Sequence, residues 1–291
     1  LPHPAQRERN TTTRAESRST LKTRKGYEPQ RKRWPSEILK ATQLQTHVFN
    51  ENNLCNWAMR CLLVETVDRK ILIDTGIGNK QSEKFYGHYD LNGDQSLLGS
   101  LSMYGVEPAD ITDVLLTHLH FDHCGGAVVR INDTLQAQFP NAIYHLTESH
   151  WNHANHPNDR EKASFLTENF VPLKEMGLLN FLKEGDVLAD CIEIKVFNGH
   201  TFGMIVPVIY WGEEKLMFMA DLIPAAAHIP VNYVMGYDVQ PLITMEEKKS
   251  LLPWLASEKV WLIFEHDAVH CRAQVQQNEK GQYMAINATQ E

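Results

Sequence analysis

One six-residue run, His-Leu-His-Phe-Asp-His at positions 118–123, constrains this chain more than any other feature. It follows an apolar segment that predicts a buried strand. Side chains alternate along an extended segment, so His118 and His120 point the same way. After a turn, Asp122 and His123 can face a neighbouring position. One short loop can therefore supply ligands to two metal ions, and imidazole with carboxylate suits Zn²⁺, Mn²⁺ or Fe²⁺ better than Ca²⁺ or Mg²⁺.

The rest of the chain alternates short β-rich runs with helical segments. Residues 61–67 and 70–74 predict a hairpin, and residues 111–117 predict the buried strand before the histidine run. Residues 147–182 read as mostly helical, and residues 245–257 as one helix. Paired strands mixed with helices predict an α/β sandwich, with the sheets inside and the helices outside.

Three further histidines, His150, His153 and His156, fall at three-residue spacing on the segment that is predicted to be helical. This spacing can place them on one face of a helix, where they could form an extra metal site. A solvated helix end beside Pro157 explains them more simply. We therefore predict that they lie outside the metal site.

Charge divides the chain near residue 50. Residues 1–50 hold eleven of the 28 Lys+Arg but only four of the 36 Asp+Glu, so the net charge of −8 divides into +7 and −15. This basic, poorly patterned N-terminal arm is open to three interpretations: a disordered arm, a sequence artefact, or a binding arm for an anionic partner. Residues 51–291 form an acidic body, which repels polyanions and counts against a nucleic acid partner.

The five cysteines include no CxxC pair, which favours reduced thiols and a cytoplasmic location. No window approaches eighteen consecutive apolar residues, so we expect no membrane span. The N-terminus lacks the apolar stretch of a secretory signal. The expected partner is a small molecule. The oligomeric state stays open, with a homodimer among the alternatives.

The run at 118–123 resembles the signature of the metallo-β-lactamase superfamily. Other motifs follow in the family's order, each at a predicted strand end: residues 72–76 (Leu-Ile-Asp-Thr-Gly), 199–203 (Gly-His-Thr-Phe-Gly), 220–221 (Ala-Asp) and 264–267 (Phe-Glu-His-Asp). The resemblance covers roughly residues 55–270. It implies an αββα sandwich, with two mixed sheets flanked by helices, as a hydrolase domain over residues 51–291.

The resemblance also implies a complete ligand set for two divalent metal ions, with Zn first and Mn or Fe as alternatives. One metal would be held by His118, His120 and His200, the other by Asp122, His123 and His266, with Asp221 bridging both. His270 competes with His266 for the last position. Asp74 would orient the ligand loop from behind.

The implied reaction is hydrolysis, in which a metal-bridging hydroxide attacks a lactone or ester carbonyl. Asp122 would act as the catalytic group that passes a proton to the leaving group. Phe121 and the 264–267 motif are similar to the branch of N-acyl-homoserine lactone lactonases, the quorum-quenching enzymes. The run Ala-Ala-Ala-His at 225–228 is similar to organophosphate hydrolases, and Pro224 stands where certain lactonases carry tyrosine.

Two alternatives therefore stay open beside the lactonase or esterase: a phosphotriesterase or phosphodiesterase on the same site, and an iron-dependent redox member of the superfamily. The substrate is expected to contact residues around and beyond Asp221. We predict that Phe202, Ile223, His228 and Tyr233 line its pocket, and Met204, Met235 and Tyr237 are further candidates.

Overall fold

The computed structural model describes residues 19–24, 54–93 and 95–290. The predicted N-terminal arm, residues 1–50, lies outside the described residues apart from strand β1 (Ser19–Arg24). Strand β1 pairs antiparallel with β2 (Leu54–Met59), so Ser19 lies opposite Met59.

The first sheet has five strands in the spatial order β3-β4-β5-β8-β9. Strands β3 and β4 form the predicted antiparallel hairpin, and the other neighbours run parallel. The bounds are β3 (Leu62–Glu65), β4 (Lys70–Ile73), β5 (Asp113–Leu115), β8 (Ile143–Thr147) and β9 (Leu179–Leu182). Its central strands carry almost continuous apolar residues, because both faces of this sheet are covered.

The second sheet has seven strands in sequence order, and only β13 and β14 are parallel neighbours. Its bounds are β10 (Val187–Leu188), β11 (Ile192–Phe197), β12 (Met204–Trp211), β13 (Glu214–Phe218), β14 (Trp261–Ile263), β15 (Arg272–Gln277) and β16 (Tyr283–Thr289). A separate hairpin joins β6 (Val128–Ile131) to β7 (Thr134–Ala137).

Six α-helices lie among the described residues: α1 (Glu83–Tyr86), α2 (Leu97–Met103), α3 (Phe121–Cys124), α4 (Glu148–Asn155), α5 (Val171–Glu175) and α6 (Pro241–Ser257). The prediction of a mostly helical segment at 147–182 was wrong, since the two short helices α4 and α5 are followed by strand β9. Gly177, with φ of 71°, ends the helical stretch in a left-handed turn that favours glycine.

Alternation along the strands separates two hydrophobic clusters. Leu62 and Val64 face the second sheet and pack against residues such as Phe218, whereas Leu63 faces outward against α2 and α5. Helix α6 covers the far side of the second sheet through Leu252 and its neighbours. The layers are therefore helix, sheet, sheet, helix, which confirms the predicted αββα sandwich. None of the helices in the described ranges is long and apolar enough to cross a membrane.

Several chemistry-bearing residues follow directly after strands. Residues 118–123 follow β5 in the first sheet, whereas His200, Asp221 and His266 follow β11, β13 and β14 in the second. Because the two sheets pack face to face, these strand ends meet at one edge of the sandwich.

Lys248 fastens the long loop between β13 and α6. Its side chain is fully buried, and its Nζ donates to the carbonyl oxygens of His228, Pro230 and Tyr233 at 2.5, 2.8 and 2.8 Å. Three acceptors match the three donors of an ammonium group. The buried charge is therefore fully hydrogen-bonded, and the loop that carries Asp221 and Asp238 is anchored at its centre.

We expect Lys248→Met to lower the free energy of unfolding by about 3 kcal/mol, because it leaves buried carbonyls without a donor. The neighbouring Lys249, which pairs with Glu246 on the surface, is a matched control. Lys249→Met should cost no more than about 0.5 kcal/mol. Denaturant titration measures both values, and equal effects would contradict the anchoring role of Lys248.

Candidate metal centre

Four buried side chains form the first group of ligand atoms: His118, His120, His200 and Asp221. Nε2 of His118 lies 3.0 Å from Nδ1 of His120, which lies 3.2 Å from Nε2 of His200. Nε2 of His200 is 3.1 Å from Oδ2 of Asp221. The four ligand atoms lie within 4.8 Å of one another, so this group could hold a metal ion.

Asp122, His123 and His266 form a second group of the same kind beside the first. Nε2 of His123 and Nε2 of His266 are 3.3 Å apart, and Oδ2 of Asp122 lies 3.9 and 4.0 Å from them. Oδ1 of Asp221 is 3.0 Å from Nε2 of His266. Since Oδ2 of Asp221 faces His200, this one carboxylate lies between the two groups. The structure thus brings together all seven predicted ligands. His270 is in neither group; its Nδ1 lies 3.7 Å from Asp267.

Each of the five histidines uses its other ring nitrogen to contact a protein oxygen, as metal-binding histidines do. The partners are Thr117 Oγ1 for His118 (3.1 Å), Glu161 Oε1 for His120 (3.4 Å), Asp74 Oδ2 and Glu265 Oε2 for His123 (3.1 and 3.0 Å), Asp238 Oδ1 for His200 (3.0 Å) and the carbonyl of Ala58 for His266 (2.8 Å). A ring that donates outward presents a lone pair inward.

This arrangement fits divalent cations. Five imidazole rings and the carboxylates of Asp122 and Asp221 converge in a largely buried space. Neutral rings would hold their lone pairs against one another at 3.0–3.3 Å, with no donor between them. A cation in each group satisfies these lone pairs and offsets the two carboxylates. The mixed nitrogen and oxygen donors suit zinc, manganese or iron.

The surroundings shift the pKa of the ligands in opposite directions. Burial holds the pKa of His118 well below its usual value, which favours the neutral ring that a metal needs. Burial acts the same way on His266, but Asp221 and Glu265 outweigh it and raise the pKa of His266 to about 9. Protons therefore compete with a metal ion for the ring nitrogen of His266, on the side of the site that is rich in carboxylates.

Asp74 lies behind the ligand loop, at the end of β4. Its Oδ1 accepts from the backbone N of Thr117 at 2.7 Å, and its Oδ2 accepts from the Thr117 hydroxyl at 2.6 Å. The same Oδ2 contacts Nδ1 of His123. One carboxylate thus fixes the backbone just before His118 and the ring of His123.

Two glycine-rich turns pack backbone against backbone beside this loop. A Cβ atom added to Gly125 would lie 2.1 Å from the carbonyl oxygen of Ile77, and one on Gly78 would lie 2.3 Å from that of Gly125. Side chains are therefore excluded at both positions.

His150 is a buried support of the ligand loop, contrary to the predicted solvated helix end. Its Nε2 accepts from the backbone N of Leu119 at 2.7 Å, and its Nδ1 donates to the carbonyl oxygen of Phe202 at 2.6 Å. His153 contacts Glu161 at 2.6 Å, and only His156 is exposed as predicted.

A cleft of about 440 Å³ opens beside the two ligand groups. His120, Asp122, His200 and Asp221 lie on its floor. Four aromatic side chains form much of its wall: Trp57, Tyr89, Phe121 and Tyr237. Trp57 packs edge-to-face on Tyr237, and Tyr89 packs on Phe121. The cleft can enclose a small, partly apolar molecule.

None of the four residues predicted to line the pocket is among those that line this cleft. Ile223 is fully buried in the core between the sheets, and Phe202 packs on the ring of His153. His228 and Tyr233 belong to the loop that Lys248 anchors, and each contributes its carbonyl oxygen there. The cleft wall comes from residues 57, 89, 121, 160, 161, 163 and 164, and from residues 235–237 further along the same loop.

Several residues of the site carry no local signal in the sequence. Glu161 and Asp238 approach their histidines across 41 and 38 positions of the chain, and Trp57 reaches the cleft from β2. Glu265, by contrast, stands directly before His266 and falls inside the motif at 264–267.

Comparisons with known proteins agree with this geometry. The model of the metallo-beta-lactamase superfamily matches residues 60–257, and the chain belongs to this superfamily. An N-acyl homoserine lactonase from Bacillus cereus is 31% identical over 84 residues, which is 25% of this chain and 34% of that protein. The chain thus matches about a third of the length of this curated relative.

Two solved structures share the fold over most of their length. A probable metal-dependent hydrolase from Staphylococcus aureus has a TM-score of 0.78 at 24% identity, covering 96% of this chain and 99% of its own. A dizinc quorum-quenching lactonase, AidC, in complex with a product, has a TM-score of 0.70 at 24% identity, covering 88% and 85%.

We expect Asp238→Asn to weaken metal binding by about tenfold, because the His200 ring loses its charged partner. Competition with a chromogenic chelator measures the affinity. Asp159→Asn is the control, since Asp159 is exposed and pairs, among the described residues, with Lys162. An affinity that is the same in both variants would show that Asp238 does not support the ligand.

Proposed function

We propose that this chain is a metal-dependent hydrolase that binds two divalent ions and cleaves a lactone or ester. The observation that carries the proposal is the pair of adjoining ligand groups that share Asp221 on the floor of an apolar cleft. The superfamily and the partial similarity to N-acyl homoserine lactonases support it. We propose zinc as the metal, in line with the dizinc lactonase of similar fold.

When bound, such metal ions lower the pKa of water and polarise a carbonyl oxygen. The chain's own residues bind and orient the substrate. Trp57 and Tyr237 cover its apolar part and exclude water from the reacting carbonyl. Burial, reinforced by Asp122, raises the pKa of Tyr89 to about 12, so this phenol keeps its proton and can donate a hydrogen bond into the cleft.

Asp122 is the candidate for proton transfer. Its carboxylate belongs to the second ligand group, lines the cleft and has a side chain 17% exposed, whereas that of Asp221 is only 6% exposed. It can therefore reach both the ligand groups and the oxygen of a departing alcohol. This position suits a group that hands a proton to the leaving oxygen.

Elemental analysis and a substrate panel test the proposal. We expect about two metal ions per chain, and hydrolysis of 4-nitrophenyl esters and N-acyl homoserine lactones that a chelator abolishes. His266→Ala should lose about one of these ions, and His156→Ala, an exposed residue outside both groups, should keep both.

Three results would point elsewhere. Absence of metal-dependent turnover on every lactone and ester would refute the proposed reaction. Turnover of a phosphotriester alone would favour the phosphotriesterase alternative, and bound iron without hydrolysis would favour a redox enzyme.

We expect Asp122→Asn to slow esters of poor leaving groups by about 100-fold, because an alkoxide needs a proton to depart. 4-Nitrophenolate leaves without one, so its esters should be slowed much less. The rates are measured at equal metal content, as determined for each preparation. An equal loss on both kinds of ester would mean that Asp122 acts only as a ligand.

A further inference from the structure

Arg160 contributes the single lysine or arginine side chain among the described residues that line the cleft. The other charged members, apart from histidine, are Asp122, Glu161 and Asp221. The remaining members are aromatic, apolar or small. Arg160 is therefore the residue that can make a positively charged contact with a substrate in this cleft.

The side chain of Arg160 is held at the rim of the cleft. Its Nη2 donates to the carbonyl oxygen of Gly236 at 2.5 Å, and its backbone N donates to the side chain of Asn158 at 2.9 Å. Gly236 stands between Met235 and Tyr237, which also line the cleft. One hydrogen bond thus orients the guanidinium, and its other N–H donors stay available.

The charge of Arg160 is not neutralised within the described part of the chain, where it makes no ion pair. Carboxylates stand on both sides of it in the sequence, yet each contacts another residue. Asp159 pairs with Lys162 at 2.8 Å, and Glu161 contacts His153 at 2.6 Å. Acidic residues outnumber basic ones beyond residue 50. The lack of an ion-pair partner for Arg160 among the described residues is therefore a local feature of the cleft rim.

We propose that Arg160 binds a free carboxylate of the substrate, so that the substrates are esters or lactones carrying a carboxylate beyond the reacting carbonyl. This proposal rests on the proposed function, because it concerns the same cleft. The planar guanidinium matches a carboxylate through paired hydrogen bonds. Trp57 and Tyr237 cover the apolar stretch that separates the two ends of the substrate.

Two esters with the same leaving group test this selectivity: the mono-4-nitrophenyl ester of adipic acid and 4-nitrophenyl hexanoate. They differ only in the terminal carboxylate. We expect the wild-type chain to show the higher kcat/KM on the adipate ester. In Arg160→Met the ratio of the two kcat/KM values should fall about tenfold or more, and Arg160→Lys should restore part of it.

Lys162→Met is the matched control, since Lys162 is an exposed cation two positions away that pairs with Asp159. It should leave the ratio unchanged. An equal loss on both esters in Arg160→Met would show that Arg160 only ties the rims of the cleft together, and would overturn the proposal. An unchanged ratio would overturn it as well.

A binding measurement separates this proposal from the proposed reaction. The affinities of hexanoate and adipate for the metal-loaded protein are measured by calorimetry in the wild type and in Arg160→Met. We expect adipate to bind more tightly than hexanoate in the wild type only. A preserved advantage of adipate in the variant would refute the role of Arg160. Absence of turnover with this advantage intact would refute only the hydrolase.

Discussion

The position of Asp221 between the two ligand groups is the constraint on which the rest of the site depends. One of its carboxylate oxygens faces His200, and the other faces His266. Burial alone would raise the pKa of Asp221, but His266, His200 and His123 outweigh it and hold the pKa well below its usual value. These neighbours therefore favour the ionised form of a carboxylate that burial alone would disfavour. Residues 118–123 come from the first sheet and Asp221 comes from the second. The packing of the sheets therefore brings the histidines and this carboxylate together, and their attraction in turn stabilises the packing.

The ligands could be predicted from the sequence because each stands in a short motif at a strand end. The run at 118–123 carries its own spacing, His200 follows a strand with clear alternation, and His266 follows a continuous apolar strand. Apart from Asp74, which stands in the motif at 72–76, the outer partners could not be predicted in the same way. Glu161 and Asp238 contact their histidines only through the tertiary fold, and a single acidic residue in a loop has no distinguishing pattern.

The sandwich was predictable, whereas the segment that leads from β8 to β9 and the wall of the cleft were not. Residues 147–182 contain enough helix-forming residues to suggest long helices, but Gly177 and the pairing of β9 with β8 override that preference. His150 was predicted to lie at a solvated helix end because the helical segment runs into Pro157. The fold instead buries it under Leu119. Closeness to Asp221 in the sequence did not predict which residues line the cleft, because the loop turns Ile223 into the core.

The ligand loop and the loop at the rim of the cleft differ in how far substitutions can change them. The close contact between the turns at Gly78 and Gly125 sets the limit for the ligand loop. The ligand loop rests on backbone atoms that leave no room for a side chain, so mutation there has little scope to adjust the metal site gradually. The loop between β13 and α6 is held by the side chains of Lys248 and Arg160, and a substitution of Arg160 at the rim of the cleft leaves the backbone contacts of Gly78 and Gly125 unchanged. Substitutions in proteins with this architecture can therefore change which substrate the cleft binds, while the ligand residues keep their positions.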